Sequence, residues 1–177
     1  DWRGQPIPHP CRSIIRTVPK DTKQYTYPDS PNRDIIRLSY NEESAIIRYI
    51  SSESYIINDK LRRGIELNDL ETQLVNSLDS ALEKMPKYNG NVYRSVSSFG
   101  IDDIGDFVNS HVPGTIIRFP SYTSTSTAMY DEGFPIQYVI SSQSGRDIRE
   151  YNQQEEEILF PRDFAFRVVK VEGNTIF

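Results

Sequence analysis

The chain has 177 residues, and its 20 Lys+Arg against 25 Asp+Glu leave a formal net charge of −5. This length suits one domain with a core of its own, and a pI near 5.1 argues against holding nucleic acid through a dominant basic surface. A single cysteine, Cys11, excludes an internal disulfide framework, and with His9 and His111 it is too small a set for an ordinary zinc site.

No stretch approaches the ~18 apolar residues of a membrane span, and nothing resembles a signal peptide. The chain opens on Asp1 rather than Met, which points to a piece of a longer protein. Residues 1–34 hold six of the eleven prolines: Pro6, Pro8, Pro10, Pro19, Pro28 and Pro31. Each fixes φ and removes a backbone donor, so this segment sustains neither a helix nor an inner strand. An extended arm lying on the domain and a linker from an upstream delivery module both fit that composition.

Residues 35–86 read as helical. Ser39 with Glu42 forms a capping box, followed by Ala45, Ile46, Tyr49 and Ile50 on one helical stripe. A second helix is predicted over Ser54–Arg63, ended by Gly64 in the left-handed conformation. A third opens at Asn68 and Glu71, repeats Leu67, Leu70, Leu74, Leu78, Ala81, Leu82 and Met85 at helical spacing, and stops at Pro86.

From Tyr88 the pattern changes to strands, punctuated by Gly and Pro: Asn91–Val96, Thr115–Phe119, Tyr122–Thr127, Ile136–Ser141, Glu157–Phe160, Phe164–Val171 and Thr175–Phe177. A short helix is expected at Asp102–Asn109. Helices first and strands second indicate an α+β domain over 35–177. No GxGxxG or P-loop pattern is present.

Three segments of the β-rich half could carry chemistry. They are Val92-Tyr93-Arg94-Ser95 after an Asn-Gly turn, the hydroxyl-rich Tyr122–Thr127, and Glu155-Glu156-Glu157 entering Ile158-Leu159-Phe160. Taken singly, each has an ordinary explanation: a paired edge arginine, a solvent-facing strand, a solvated acidic turn. In a continuous strand Glu155 and Glu157 share a face, with Cα atoms ~6.5–7 Å apart. Like charges that close repel unless a cation or hydrogen bonds compensate. A carboxylate at the edge of a buried strand is also well held for catalysis.

In order, Arg94, then Ser124-Thr125-Ser126, then Glu155-x-Glu157 resemble the mono-ADP-ribosyltransferases of the arginine–serine–glutamate class, which includes bacterial exotoxins. The intervals of 30 and 33 residues are plausible for that class. Ser144–Ile148, Phe160–Phe164 and the helical stretch from Tyr55 to Leu61, with Asn58, are similar to the family as well. The resemblance covers roughly residues 38–177.

It implies a helical N-terminal lobe packed on a mixed two-sheet β core, with NAD as substrate in the cleft and no metal. It implies that Arg94 contacts a phosphate of NAD and ties the site together, aided by Tyr93 and Ser95. Ser124 would orient the catalytic glutamate, while Thr125 and Ser126 hold the strand at the nicotinamide ribose. Glu157 would bind the ribose 2′-hydroxyl and stabilise an oxocarbenium-like cation as nicotinamide leaves. Glu155 would orient the incoming nucleophile and take its proton; a Glu there goes with arginine as acceptor. A guanidinium is protonated up to pH ~12 and is a poor nucleophile without such help.

Segment 147–154 would recognise the target through Tyr151 and Asn152, although relatives often carry an aromatic where Asn152 stands. Segment 129–137 would cover the phosphates and nicotinamide; Phe134 there either stacks on the nicotinamide or closes the core. The implied function is a toxin domain transferring ADP-ribose from NAD to arginine on a target protein. Actin, a small GTPase and a bacterial cell-division protein are open as targets, as is an immunity protein that blocks the cleft. Neither nucleic acid nor membrane is expected as a partner. Such a domain would be secreted or injected from a bacterium and act in the target-cell cytosol; absence of disulfides fits that reducing compartment. NAD glycohydrolysis with water as acceptor, and a non-catalytic binding module on the same fold, are the alternatives.

Overall fold

The computed structural model describes residues 24–25 and 36–177. The Pro-rich arm expected over 1–34 therefore lies outside the described residues, except for Gln24–Tyr25. That pair forms β1, antiparallel to β2, Ile36–Arg37.

Three helices follow. Helix α1, Tyr40–Arg48, opens with the expected capping box: Ser39 accepts from the Glu42 N–H, and the Glu42 carboxylate accepts from the Ser39 N–H. Helix α2, Ser54–Arg63, ends on Gly64 at φ 65°. Helix α3, Asp69–Lys84, has a second capping box from Asn68 and Glu71. Between α1 and α2 lies a π-helical segment, Tyr49–Glu53, broken at Ser51 (φ −87°, ψ −168°). Its residues continue an apolar helical stripe, so sequence periodicity gives no sign of the wider turn.

The β half holds β3 (Lys87–Val96), α4 (Ile104–Asn109), β4 (Ile116–Phe119), β5 (Thr123–Ser126), β6 (Ile136–Asp147), β7 (Glu157–Phe160), β8 (Phe164–Arg167), β9 (Val171–Glu172) and β10 (Thr175–Ile176). A six-stranded sheet runs β3-β5-β7-β6-β10-β9, and β4 and β8 form a separate two-stranded sheet. All pairings are antiparallel except β6–β10, so the architecture is mixed. Because β3 also pairs along most of its length with β6, strands β3, β5, β7 and β6 close a circuit.

Two strands are longer than the sequence indicates. The Asn89-Gly90 dipeptide reads as a turn but lies inside β3, where the pairing with β6 slips between Tyr88 and Gly90 and Gly90 takes φ 146°. Strand β6 continues past Ser141 through Ser142-Gln143-Ser144, which lacks the apolar alternation of a strand but is held by that pairing. The single strand expected over Phe164–Val171 is instead β8 and β9. The break comes where Val168 donates to the Thr115 carbonyl and Val169 to that of Phe177. Helix α4 starts later than Asp102 because Asp103 is its N-cap.

The main core lies at the join of the two halves. Leu38, Ile46, Tyr49, Ile50, Leu78 and Leu82 from the helical lobe pack with Tyr122, Ile148, Tyr151 and Leu159 from the sheet. Two smaller clusters lie within the β half, around Phe107–Ile136–Tyr138 and Val92–Ile158–Phe160. Position 145 lies against the last of these. A Cβ there would come within 2.7 Å of Ile158 Cγ2 and 2.9 Å of Phe160 Cζ, so only glycine lets the strands approach this closely.

Candidate active site

Strand β7 opens on Glu157, which is fully buried, and β5 lies beside it with Ser126 directly opposite Glu157 and Ser124 opposite Leu159. Tyr93 of β3 is in turn opposite Ser126. The three segments singled out in the sequence thus meet on adjacent strands. Thr125 Oγ1 donates to the Ile158 carbonyl at 2.7 Å, fixing β5 to β7, and Ser126 Oγ accepts from the Ala128 N–H at 3.2 Å.

Arg94 is buried, and its Nη1 donates to the Ser124 carbonyl at 2.9 Å. The adjacent Ser95 is fully buried and donates toward the Tyr130 carbonyl, with Gln137 Oε1 at 2.7 Å. Its hydroxyl ties the 127–135 loop to β3. Phe134, half-buried, is part of that loop.

The helical lobe reaches the site through residues to which the sequence reading assigns no role there. Asn58 Nδ2 donates to the Tyr49 hydroxyl at 3.0 Å, and the Tyr49 hydroxyl lies 2.9 Å from Ser124 Oγ. Asn58 Oδ1 accepts from the Tyr122 N–H at 3.2 Å. Arg62 of α2 is near Arg94: burial, then the Arg94 charge, push its guanidinium pKa down to about 10. In sequence Arg62 looks like an ordinary cation in a last helical turn, where the helix dipole favours it. Two guanidiniums held close together suit a ligand with paired negative charges, such as a diphosphate.

Residues 148–156 form the turn between β6 and β7. It is closed by the Ile148 N–H to the Glu157 carbonyl (3.2 Å) and braced by Arg149, bidentate on Asp147. Glu156 takes φ 45°, and β7 begins only at Glu157. The expected strand alternation therefore does not extend to Glu155. Its carboxylate approaches Glu157 by another route: Asn152 Nδ2 donates to Glu155 Oε2 at 3.0 Å and to Glu157 Oε2 at 3.2 Å. An amide nitrogen has two protons, so one side chain serves both carboxylates.

Tyr151, expected to face a target, is instead buried in the main core at 2% exposure, and its hydroxyl donates to the buried Glu43 at 3.3 Å. An aromatic next to a catalytic turn looks the same in sequence whether it faces out or in. Here Ile148 and Leu159 provide the apolar bed that draws it inward. Asn152 is equally buried. Among the described residues, no three His, Cys, Asp or Glu side chains converge where they could hold a metal ion.

This arrangement offers a buried carboxylate, a second and more exposed one beside it, and two nearby arginines. Comparison with known proteins gives the family. A sequence profile described as ADP-ribosyltransferase exoenzyme matches residues 22–175. Mav of Mycobacterium avium (strain 104), provisionally named an NAD(+)–arginine ADP-ribosyltransferase, is 32% identical over 139 residues, covering 75% of this chain. The chain spans only 16% of that relative's length. Exoenzyme S of Pseudomonas aeruginosa, solved with human 14-3-3 protein beta and carba-NAD, matches with a TM-score of 0.67 and 19% identity, over 78% of this chain and 72% of that one. An ADP-ribosyltransferase of Clostridium botulinum matches with a TM-score of 0.66 and 19% identity, over 78% of this chain and 84% of that one. At such identity the two structures speak to the fold, which is that of ADP-ribosyltransferase toxins. With the profile extending over most of its length, the chain belongs to the ADP-ribosyltransferase exoenzyme family.

Proposed function

We propose that this chain transfers ADP-ribose from NAD to an arginine of a target protein, releasing nicotinamide. The observation that carries the reading is the pair of glutamates held on one amide, one fully buried and one partly exposed. The bond between nicotinamide N1 and ribose C1′ breaks, and its electron pair leaves with nicotinamide. Glu157 holds the ribose 2′-hydroxyl and stabilises the positive charge left on the ring. An arginine nitrogen then attacks C1′ and passes its proton to Glu155. Arg94 and Arg62 hold the diphosphate, and Ser124, Thr125 and Ser126 keep β5 and β7 in place beneath it. Tyr93, Ser95 and Phe134 shape the wall around the nicotinamide.

Residues 35–177 act as the catalytic unit in this reading, with 1–34 as an arm or linker. The chain is a module of a secreted or injected bacterial toxin acting in the cytosol of its target cell. That Exoenzyme S was solved with a protein partner and a carba-NAD ligand supports a protein-directed, NAD-using reading.

The test is labelling. The chain and its Glu157→Gln variant are incubated with biotin-tagged NAD in animal and bacterial lysates. A discrete labelled protein that requires Glu157 and loses its label in hydroxylamine is expected. Nicotinamide release without any labelled protein would favour hydrolysis of NAD by water.

A further inference from the structure

We propose that Asn152 is a positioning residue that sets the partition between transfer to arginine and hydrolysis of NAD; this rests on the arginine-transferase reading above. Asn152 stands where the resemblance leads one to expect an aromatic, and the structure gives it different work. Its Nδ2 donates to both Glu155 and Glu157, while its Oδ1 is buried without a hydrogen-bond partner among the described residues. Turning the amide over would satisfy neither side, since it would set a carbonyl oxygen between two carboxylates. The orientation is therefore fixed by the glutamates. An orphaned buried acceptor is unfavourable for folding, so stability alone does not account for an asparagine here.

The residue also has little freedom. Its N–H donates to the Ile148 and Arg149 carbonyls, and its neighbour Tyr151 is anchored in the core and on Glu43. Asn152 thus transmits a rigid backbone position to Glu155, which otherwise belongs to a turn rather than to β7. Glu157 is held by its strand whether or not Asn152 is present. Cleavage of NAD with water as acceptor depends on Glu157. Transfer to arginine also requires Glu155 at a fixed distance from the ribose carbon, where a small misplacement is costly. Loss of the amide should harm the second reaction more than the first.

The experiment measures both reactions, with NAD alone and with NAD plus agmatine as a free guanidinium acceptor, for the wild type, Asn152→Ala and Asn152→Asp. Asp keeps the shape but replaces the donor by a third carboxylate. Thermal unfolding identifies any variant that has lost its fold. The expected result is a fall in agmatine modification of ~10–100-fold in both variants, with nicotinamide release in the absence of acceptor falling only a few-fold. Equal losses in the two reactions, or no loss in a folded variant, would overturn the role of Asn152 while leaving arginine transfer by the wild type intact. A wild type that cleaves NAD but never modifies agmatine would overturn the underlying reading, and this proposal with it.

Discussion

The Tyr49 hydroxyl lies 2.9 Å from the Ser124 hydroxyl, joining the segment after α1 to the middle of β5. Asn58 donates to Tyr49, so the phenol proton is available to Ser124, and the Ser124 proton can point onward into the site. The helical lobe thus orients a serine of the sheet through two buried side chains. Tyr49→Phe would leave an amide donor and a hydroxyl short of a partner. It should cost ~1–3 kcal/mol, and thermal unfolding should fall by several degrees. An unchanged Tm would contradict the linkage.

Gly145 should tolerate no side chain. An added methyl meets Ile158, Phe160 and the Ser142 hydroxyl at under 3 Å, and two of these are buried core atoms. Gly145→Ala should destabilise the chain by ~1–3 kcal/mol in urea unfolding. A midpoint equal to that of the wild type would show that β3, β6 and β7 separate more easily than their packing indicates.

His111 gives the fold a sensitivity to acid. Its Nδ1 faces the Phe107 carbonyl and so carries the proton, leaving Nε2 to accept from the Tyr138 hydroxyl. Burial pushes its pKa below the ordinary 6.5. The unfolded chain then binds this proton more tightly than the folded one. The stability gained by keeping His111 neutral is complete above about pH 6.5 and is lost as pH falls toward the lowered folded-state value. His111→Gln should lower Tm at neutral pH but shrink the further drop on acidification to about pH 5.5. An undiminished drop would place the acid sensitivity elsewhere.

The sequence made some of this legible and concealed the rest for identifiable reasons. Capping boxes at Ser39 and Asn68 and the glycine stop at Gly64 are local chemistry, so α1, α2 and α3 appear with nearly their observed bounds. Glu157–Phe160 is apolar beyond its first residue, and it forms β7 as expected. The polar end of β6 is a strand only because β3 pairs with it, which is a tertiary fact. Arg94, Ser124, Glu155 and Glu157 are visible as segments in order. The roles of Tyr49, Asn58 and Arg62 are not, because on a helix they look like a core aromatic, a surface polar residue and a terminal cation. Tyr151 misleads because position next to a turn does not determine whether a ring faces out.

Arg62 offers a test of the proposed diphosphate site that does not remove the Arg94 tie to Ser124. Arg62→Ala should raise KM for NAD by roughly 10–100-fold, the loss of a charge-assisted hydrogen bond worth about 1.5–3 kcal/mol. Unfolding temperature should change little. A KM within twofold of the wild type would exclude Arg62 from the substrate site.

Arginine transfer itself is tested most directly without knowing the target protein. The purified chain is incubated with NAD and agmatine, and the products are weighed by mass spectrometry as nicotinamide release is followed. The account predicts ADP-ribosyl-agmatine from the wild type and neither product from Glu157→Gln. It predicts continued nicotinamide release, without the adduct, from Glu155→Gln. Full adduct formation by either variant, or nicotinamide release by the wild type with no adduct, would contradict it.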